Sequence, residues 1–262
     1  MDISKASKEE ILDPTWLEEY QKQYDALWSQ VSMLVTRIYI LGKISRFPFE
    51  PLFEPKQVTF WTEVSFSLYE SALLAIWRIA VDTGSDFLTL RSLKNEIKKN
   101  VRQNGPHSAD DLKKAFINSV KQSGFEKTVQ AAEKSVRDLR HSYVAHFRRE
   151  RAIGAEVRTS DPLPLVRLEK LSEAIVEQMA VLAFGHRFPY LPDQYSSDAT
   201  RPEHSKQEPD IDRLLTQLAR ESTIIRSPET SPQGWPHRRK RMSQEDLKAF
   251  NHYRQKLGLD PA

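Results

Sequence analysis

The sequence predicts an all-α protein: a bundle of long antiparallel helices, followed by a partly disordered C-terminal tail that carries short helices. Through most of the first 190 residues, bulky apolar side chains recur at every third or fourth position. This is the period of a helix that buries one face. Only eight glycines occur among the 262 residues, and no strand-like runs are joined by Asn-Gly or Asp-Gly turns. These observations argue against a sheet-based fold.

The helical period defines the elements in order. Pro14 precedes the first helix as a start signal, and the segment 104–106, Asn-Gly-Pro, stops the third. The predicted helices cover residues 16–44, 60–81, 90–101, 110–122, 126–149 and 165–188. An aromatic stripe on the first helix comprises Trp16, Tyr20, Tyr24 and Trp28. We assign this stripe to core or dimer packing rather than to base stacking.

A change in composition after Pro192 predicts the domain organisation. Residues 1–195 form the helical domain, and residues 196–262 form a linker and a basic tail with two short helices, at 211–224 and after Ser243. Ser243 and Asp246 have the spacing of a capping box. The basic run 237–241, His-Arg-Arg-Lys-Arg, either contacts nucleic acid or an acidic partner, or is simply a solvated tail.

Several classes of chemistry lack their motifs. The chain has no cysteine, no glycine-rich phosphate loop, no His-Glu-x-x-His pair and no Gly-x-Ser-x-Gly elbow. ATPase, dinucleotide-binding and thiol chemistry are excluded, and we expect neither a metal centre nor a cofactor. The N-terminus lacks the basic start and apolar run of a signal peptide. We therefore expect a cytoplasmic protein without a membrane partner.

The segment 140–146 concentrates acid and base capacity. It places the Arg140 guanidinium and the imidazoles of His141 and His146 within about two helical turns. Imidazole moves protons near neutral pH, and arginine binds phosphate through a planar fork of donors. Arg102 and His107 have a similar spacing, but that match ends in Gly105-Pro106-His107, which is a helix terminus.

These residues resemble the R-x(4–6)-H motif of the HEPN superfamily of RNA-processing and toxin proteins. Arg140 is the arginine, the polar His141 follows it, and Ala145 precedes the terminal His146. The segment 73–82, which ends in Arg-x-x-x-Asp, is similar to the abortive-infection (AbiU-type) branch of that superfamily. The resemblance implies a helical bundle of the HEPN type.

The resemblance also implies a function: metal-independent RNA cleavage by 2′-OH attack, in a toxin-like or anti-phage defence (abortive infection) protein. Arg140 then neutralises the phosphate, His146 acts as general acid or base, and His141 orients or transfers a second proton. A homodimer completes a symmetric site, and an antitoxin or defence-system partner protein controls it. The following basic residues are candidates for contact with RNA: Arg148, Arg149 and Arg151.

The residues also permit structural explanations. Arg140 and His146 can belong to a buried polar cluster without turnover, and the charges of 148–151 can simply be solvated at a helix end. We assign Arg78 and Asp82 to an internal ion pair or a helix-terminus contact. The alternative function is therefore a noncatalytic helical module for dimerisation, scaffolding or RNA binding.

Overall fold

A computed structural model of the chain describes residues 6–53, 55–82, 84, 86–103, 105, 107–140, 163–184, 210–228 and 242–261. Its helices are α1 (Lys8–Ile11), α2 (Leu17–Ser45), α3 (Phe49–Leu52), α4 (Pro55–Ile76), α5 (Leu90–Lys99), α6 (Ala109–Gln122), α7 (Phe125–Leu139), α8 (Leu165–Leu182), α9 (Asp210–Glu221), α10 (Thr223–Arg226) and α11 (Gln244–Lys256). A π-helix, Trp77–Val81, continues α4. Within these residues, extended pairing is limited to one bridge between Leu12 and Val101. The all-α prediction is confirmed.

Helices begin where the sequence places capping residues. At the start of α6, the Ser108 hydroxyl accepts a hydrogen bond from the Asp111 N–H at 3.2 Å. At the start of α11, the Ser243 hydroxyl accepts from the Asp246 N–H at 3.0 Å, and the Asp246 carboxylate accepts from the Ser243 N–H at 3.3 Å. The predicted capping box is confirmed. Each cap satisfies first-turn donors that have no partner inside the helix and contributes about 1 kcal/mol.

The chain divides into two compact units. One comprises Met1–Ile38 with Glu70–Leu191, and the other comprises Tyr39–Tyr69 with Pro192–Ala262. In the first unit, α7 packs against α8 and the π-helix, and α5 and α6 also contact α8. The apolar face of α7 is buried through Phe125, Val129, Ala132, Val136 and Leu139. The domain boundary predicted at residue 195 lies outside the described residues.

Aromatic packing fixes the end of α8. The helix predicted at 165–188 ends at Leu182, because Phe184 has a positive φ of 48°, which is rare for a bulky residue. The Phe184 ring centroid lies 5.8 Å from those of Tyr20 and Phe116. The Tyr20 hydroxyl donates to the Leu182 carbonyl at 2.6 Å, and burial raises the pKa of Tyr20, so the hydroxyl keeps its proton. Of the aromatic stripe, Tyr20, Tyr24 and Trp28 are core, as predicted, whereas Trp16 is half-buried.

The second unit has its own apolar core. In this unit α9, α10 and α11 pack against one another, so both short helices predicted beyond residue 196 are present. The core side chains are Ile44, Phe47, Phe49, Leu52, Leu215, Ala219, Ile224, Ile225, Phe250 and Tyr253. The buried Arg254 guanidinium donates to the carbonyl oxygens of Ile225 and Asp260. These bonds satisfy a buried cation and two backbone acceptors together.

One helical stretch is apolar enough to raise the question of a membrane. Among the described residues, Val58–Val81 has the length and the hydropathy, 1.4, of a candidate membrane span, and 39% of that stretch is buried inside the protein. Core helices of soluble proteins satisfy the same two criteria.

Candidate functional site

The π-helix Trp77–Val81 gives the end of α4 a wider turn. The Asp82 N–H donates to the Trp77 carbonyl oxygen, five residues back, at 2.9 Å. The last three residues of the π-helix are buried, whereas Arg78 is exposed. Single π-helical turns are rare and occur frequently at functional sites. This turn therefore marks a candidate site within the first unit.

Arg140 reaches this turn from the end of α7. Its guanidinium carbon lies 4.8 Å from the centroid of the Trp77 ring. Such a cation–π contact is worth about 0.5–1 kcal/mol at an exposed site and favours this position of the guanidinium. No carboxylate pairs with Arg140 among the described residues, and the residue is half-buried. The positive charge of Arg140 is therefore available to an anion.

Arg137, one turn earlier on α7, has a different environment. Its guanidinium carbon lies 6.0 Å from the same Trp77 ring centroid. One of its nitrogens pairs with the Glu133 carboxylate at 2.7 Å, which compensates its charge. Arg137 and Arg140 thus share an aromatic neighbour but not an acidic partner.

A cleft of about 580 Å³ opens beside Trp77. Besides Trp77 and Arg140, its lining includes Arg78, Asp82, Phe87 and Leu88, together with side chains of α2 and α4. The cleft therefore combines two guanidinium groups, one carboxylate and exposed apolar surface. This combination suits a ligand that has both negative charge and a flat or apolar group.

Arg78 and Asp82, predicted to form an ion pair or a helix-terminus contact, lie in and directly after the π-helix. Asp82 follows the last residue of that helix, and its carboxylate accepts from the Gly84 N–H at 3.1 Å. A helix-terminus contact is therefore confirmed for Asp82. Among the ion pairs in the described part of the chain, none joins Arg78 to Asp82. Arg78 instead lines the cleft as an exposed cation.

An ionic network holds α7 against α5. Glu126 of α7 pairs with Lys94 and with Arg91, whose Nε lies 3.1 Å from the carboxylate. Burial by itself raises the pKa of Glu126, but the hydrogen bonds and charges of Lys94 and Arg91 outweigh it. The net result is a pKa of Glu126 below the ordinary value of 4.5. The network supports the helix that carries Arg140.

Arg102 and His107, the other arginine–histidine pair of similar spacing, have another role in the fold. The Arg102 guanidinium donates to the Glu9 carbonyl oxygen at 3.0 Å, and its backbone N–H donates to the Ile11 carbonyl oxygen at 2.8 Å. His107 is exposed just before the N-terminal cap of α6. Arg102 therefore anchors the N-terminal segment and does not line the cleft.

Five of the six predicted site residues lie outside the described residues: His141, His146, Arg148, Arg149 and Arg151. Of the predicted site, the structure therefore positions Arg140 alone. The basic run 237–241 also lies outside the described residues. In the part of the chain that is described, no group of three or more His, Asp and Glu side chains has the arrangement of a metal site.

Sequence reasoning assigned no binding role to Trp77, Arg78 or Phe87, which line the cleft. Trp77 and Arg78 lie in the segment already singled out by the Arg-x-x-x-Asp pattern, but nothing in that pattern indicates a π-helix. Phe87 lies in the connection between the predicted helices 60–81 and 90–101. An aromatic residue close after a Gly-containing segment was the available clue.

Comparison with known protein families finds a match over most of the helical region. No curated protein and no solved structure matches the chain. The family described as AbiU2, a HEPN family, matches residues 17–201, well over half of the chain. The matched region includes the π-helix, the cleft residues and both histidines of the 140–146 segment. The chain therefore belongs to the AbiU2 family of the HEPN superfamily.

Proposed function

We propose that this protein is a metal-independent endoribonuclease of the HEPN type that acts as a toxin-like component of anti-phage abortive infection. One observation carries the proposal: the Arg140 guanidinium lines an open cleft and stacks on Trp77. Within the described residues it has no acidic partner. An uncompensated, oriented guanidinium is what binding of a phosphodiester requires. Membership of the AbiU2 family supports the same assignment.

The proposed reaction breaks one phosphodiester bond without a metal. The ribose 2′-oxygen attacks the adjacent phosphorus, a base removes the 2′-OH proton, and the bond from phosphorus to the 5′-oxygen breaks as that oxygen gains a proton. The products are a 2′,3′-cyclic phosphate and a 5′-OH. Arg140 neutralises the charge on the pentacoordinate phosphate, because its bidentate fork matches the phosphate oxygens.

The proton transfers are assigned to the two histidines. His146 acts as general acid or base, and His141 orients the substrate or transfers the second proton. These roles follow from the HEPN resemblance, because both residues lie outside the described part of the chain. The same holds for the proposed RNA contacts of Arg148, Arg149 and Arg151.

The proposed active form is a homodimer in the cytoplasm. His146 lies six positions after Arg140, which places the two residues about 120° apart around a straight α-helix. A two-fold axis brings two arginines and two histidines to one interface and removes this difficulty. An antitoxin or another defence-system protein keeps the nuclease inactive until infection.

The test is cleavage of RNA by the purified protein in EDTA. Four proteins are compared: the parent, Arg140→Ala, His146→Ala and the matched control Arg137→Ala. We expect the parent and Arg137→Ala to release cyclic phosphate and 5′-OH ends, and the other two to leave RNA intact. Light scattering should show a dimer in all four.

A requirement for a trigger is tested in growing bacteria. Expression of the parent should arrest growth and fragment cellular RNA during phage infection, whereas Arg140→Ala should do neither. If RNA stays intact with the parent both in vitro and in infected cells, the noncatalytic alternative is correct: a helical scaffold or RNA-binding module.

A further inference from the structure

The segment after the π-helix exposes large apolar side chains at the rim of the cleft. Phe87 is 57% exposed and Leu88 is 37% exposed, and both line the cleft that contains Arg78 and Arg140. Other large hydrophobic residues are also exposed in the described chain, among them Phe60 at 64%, but Phe60 does not line this cleft. Exposed aromatic surface beside uncompensated cations is typical of binding sites.

Phe87 is exposed but held in place. Its N–H donates to the Gly84 carbonyl oxygen at 3.2 Å, which closes a turn. A Cβ atom on Gly84 would lie 2.5 Å from Cδ2 and 2.8 Å from Cε2 of Phe87, so one edge of the ring packs directly on the glycine. Any larger residue at position 84 must displace the ring.

The chain that follows Phe87 is held by the cap at the start of α5. The Thr89 N–H donates to the Ser92 hydroxyl at 2.7 Å, and the Ser92 N–H donates to the Thr89 hydroxyl at 3.0 Å. Thr89 is buried, with 2% of its surface exposed. The ring thus lies between a hydrogen bond to Gly84 and the capped start of a helix, and such local order lowers the entropic cost of binding.

We propose that Phe87 stacks on a base of single-stranded RNA whose phosphate is bound by Arg78. Both side chains line the cleft, and Arg78 is exposed and makes no ion pair with Asp82 in the described structure. Base stacking on aromatic rings and phosphate contacts by arginine are the two interactions with which proteins hold single strands. The inference rests on the proposed nuclease function and names its substrate class.

The remaining groups of the cleft are compatible with a nucleotide. Its volume of about 580 Å³ lies within the range of about 300–1,000 Å³ of ligand clefts. The Asp82 carboxylate already accepts the Gly84 N–H and can also accept a base amino group or a 2′-hydroxyl. A base paired inside a duplex does not expose its face, so duplex RNA should bind less tightly.

The experiment measures binding separately from cleavage. In a His146→Ala background that leaves RNA intact, anisotropy of a labelled oligonucleotide gives the affinity for single-stranded RNA and for a hairpin stem. Phe87→Ala should weaken single-strand binding by about 5- to 100-fold. Phe87→Tyr should keep parent affinity, and Arg78→Gln should reduce both the affinity and its dependence on salt. Phe60→Ala is the matched control and should change nothing.

Several outcomes overturn the inference. One is an unchanged affinity in Phe87→Ala, and another is a failure of the His146→Ala protein to bind single-stranded RNA at all. A third is a loss of binding in Phe87→Ala that is accompanied by dissociation of the dimer in light scattering, because Phe87 then lies at an interface between copies. Cleavage by the parent with unaltered binding in Phe87→Ala refutes only the stacking role. Phe87-dependent binding without any cleavage refutes only the nuclease proposal.

Discussion

Arg102 and Arg140 precede a histidine by five and six residues, respectively, yet their guanidinium groups have different surroundings. Arg102 donates to the Glu9 carbonyl oxygen and fastens the N-terminal segment to the end of α5. Arg140 stacks on Trp77 at the edge of an open cleft. Two arginine–histidine pairs of similar spacing thus differ in role: one serves the fold and the other, in our proposal, the chemistry.

The difference lies in which groups of the protein contact each guanidinium. Arg137 shows this within α7 itself, because Glu133 compensates it although it lies near the same ring as Arg140. A guanidinium that is already paired within the fold has fewer free hydrogen-bond donors and less uncompensated charge for a phosphate. A guanidinium that is oriented by an aromatic face keeps its hydrogen-bond donors for a ligand.

The largest expected effect is a difference in the rate of RNA cleavage between variants of Arg140 and variants of Arg102. Arg140→Ala should lower the rate of RNA cleavage by about 100- to 1,000-fold, which is the usual loss when a charge-stabilising donor is removed. Arg102→Ala should stay within about twofold of the parent, because Arg102 does not line the cleft. Single-turnover cleavage of a labelled RNA in EDTA measures both rates.

A lysine at position 140 sharpens this test. Arg140→Lys keeps the charge but loses the planar fork, so its rate should lie between those of the parent and Arg140→Ala. Equal losses in Arg102→Ala and Arg140→Ala would show that the comparison is mistaken and that both changes act through stability.

The helical fold was predictable because its main determinant is local. The apolar period of α7 places Phe125, Val129 and Val136 on one face, and all three are buried. The end of α8 was not predictable in this way. It depends on the left-handed Phe184 and its packing between Tyr20 and Phe116, which are distant in sequence.

The site was predictable only in part. The family motif pointed to Arg140, and the structure places that residue at a cleft. The contribution of Trp77 depends on a π-helix, which widens one turn and has no apolar period of its own. The exposure of Phe87 depends on a glycine turn in a connection, where periodicity carries no information.

A smaller effect should follow from loss of the Trp77 ring. Trp77→Leu keeps an apolar side chain but removes the π face under Arg140, so cleavage should slow by about 2- to 5-fold. Trp77→Phe should retain most of the rate. A slower Trp77→Phe protein with a normal Trp77→Leu protein would argue against orientation by the ring and in favour of simple packing.

Loss of the Arg102 side chain should instead lower the stability of the folded protein. Arg102→Ala removes a hydrogen bond from its guanidinium to the Glu9 carbonyl and should lower the free energy of unfolding by about 1 kcal/mol. Urea unfolding of the full chain measures this loss. Lys22→Ala is the control, since its pair with Glu18 is highly exposed and should contribute almost nothing.

The smallest expected effect is the contribution to stability of the ion pairs that join Glu126 of α7 to α5. Because the pKa of Glu126 lies below its ordinary value in the folded protein, its ion pairs stabilise the fold above that ordinary value, and this contribution is lost as the pH falls through the lowered pKa. Glu126→Gln should therefore lower the free energy of unfolding by about 0.2–1 kcal/mol at pH 7 and by almost nothing at strongly acidic pH. Glu18→Gln, on an exposed pair, should match the parent at both pH values. A Glu126→Gln deficit that persists unchanged in acid would mean that side-chain packing, rather than charge, joins α7 to α5.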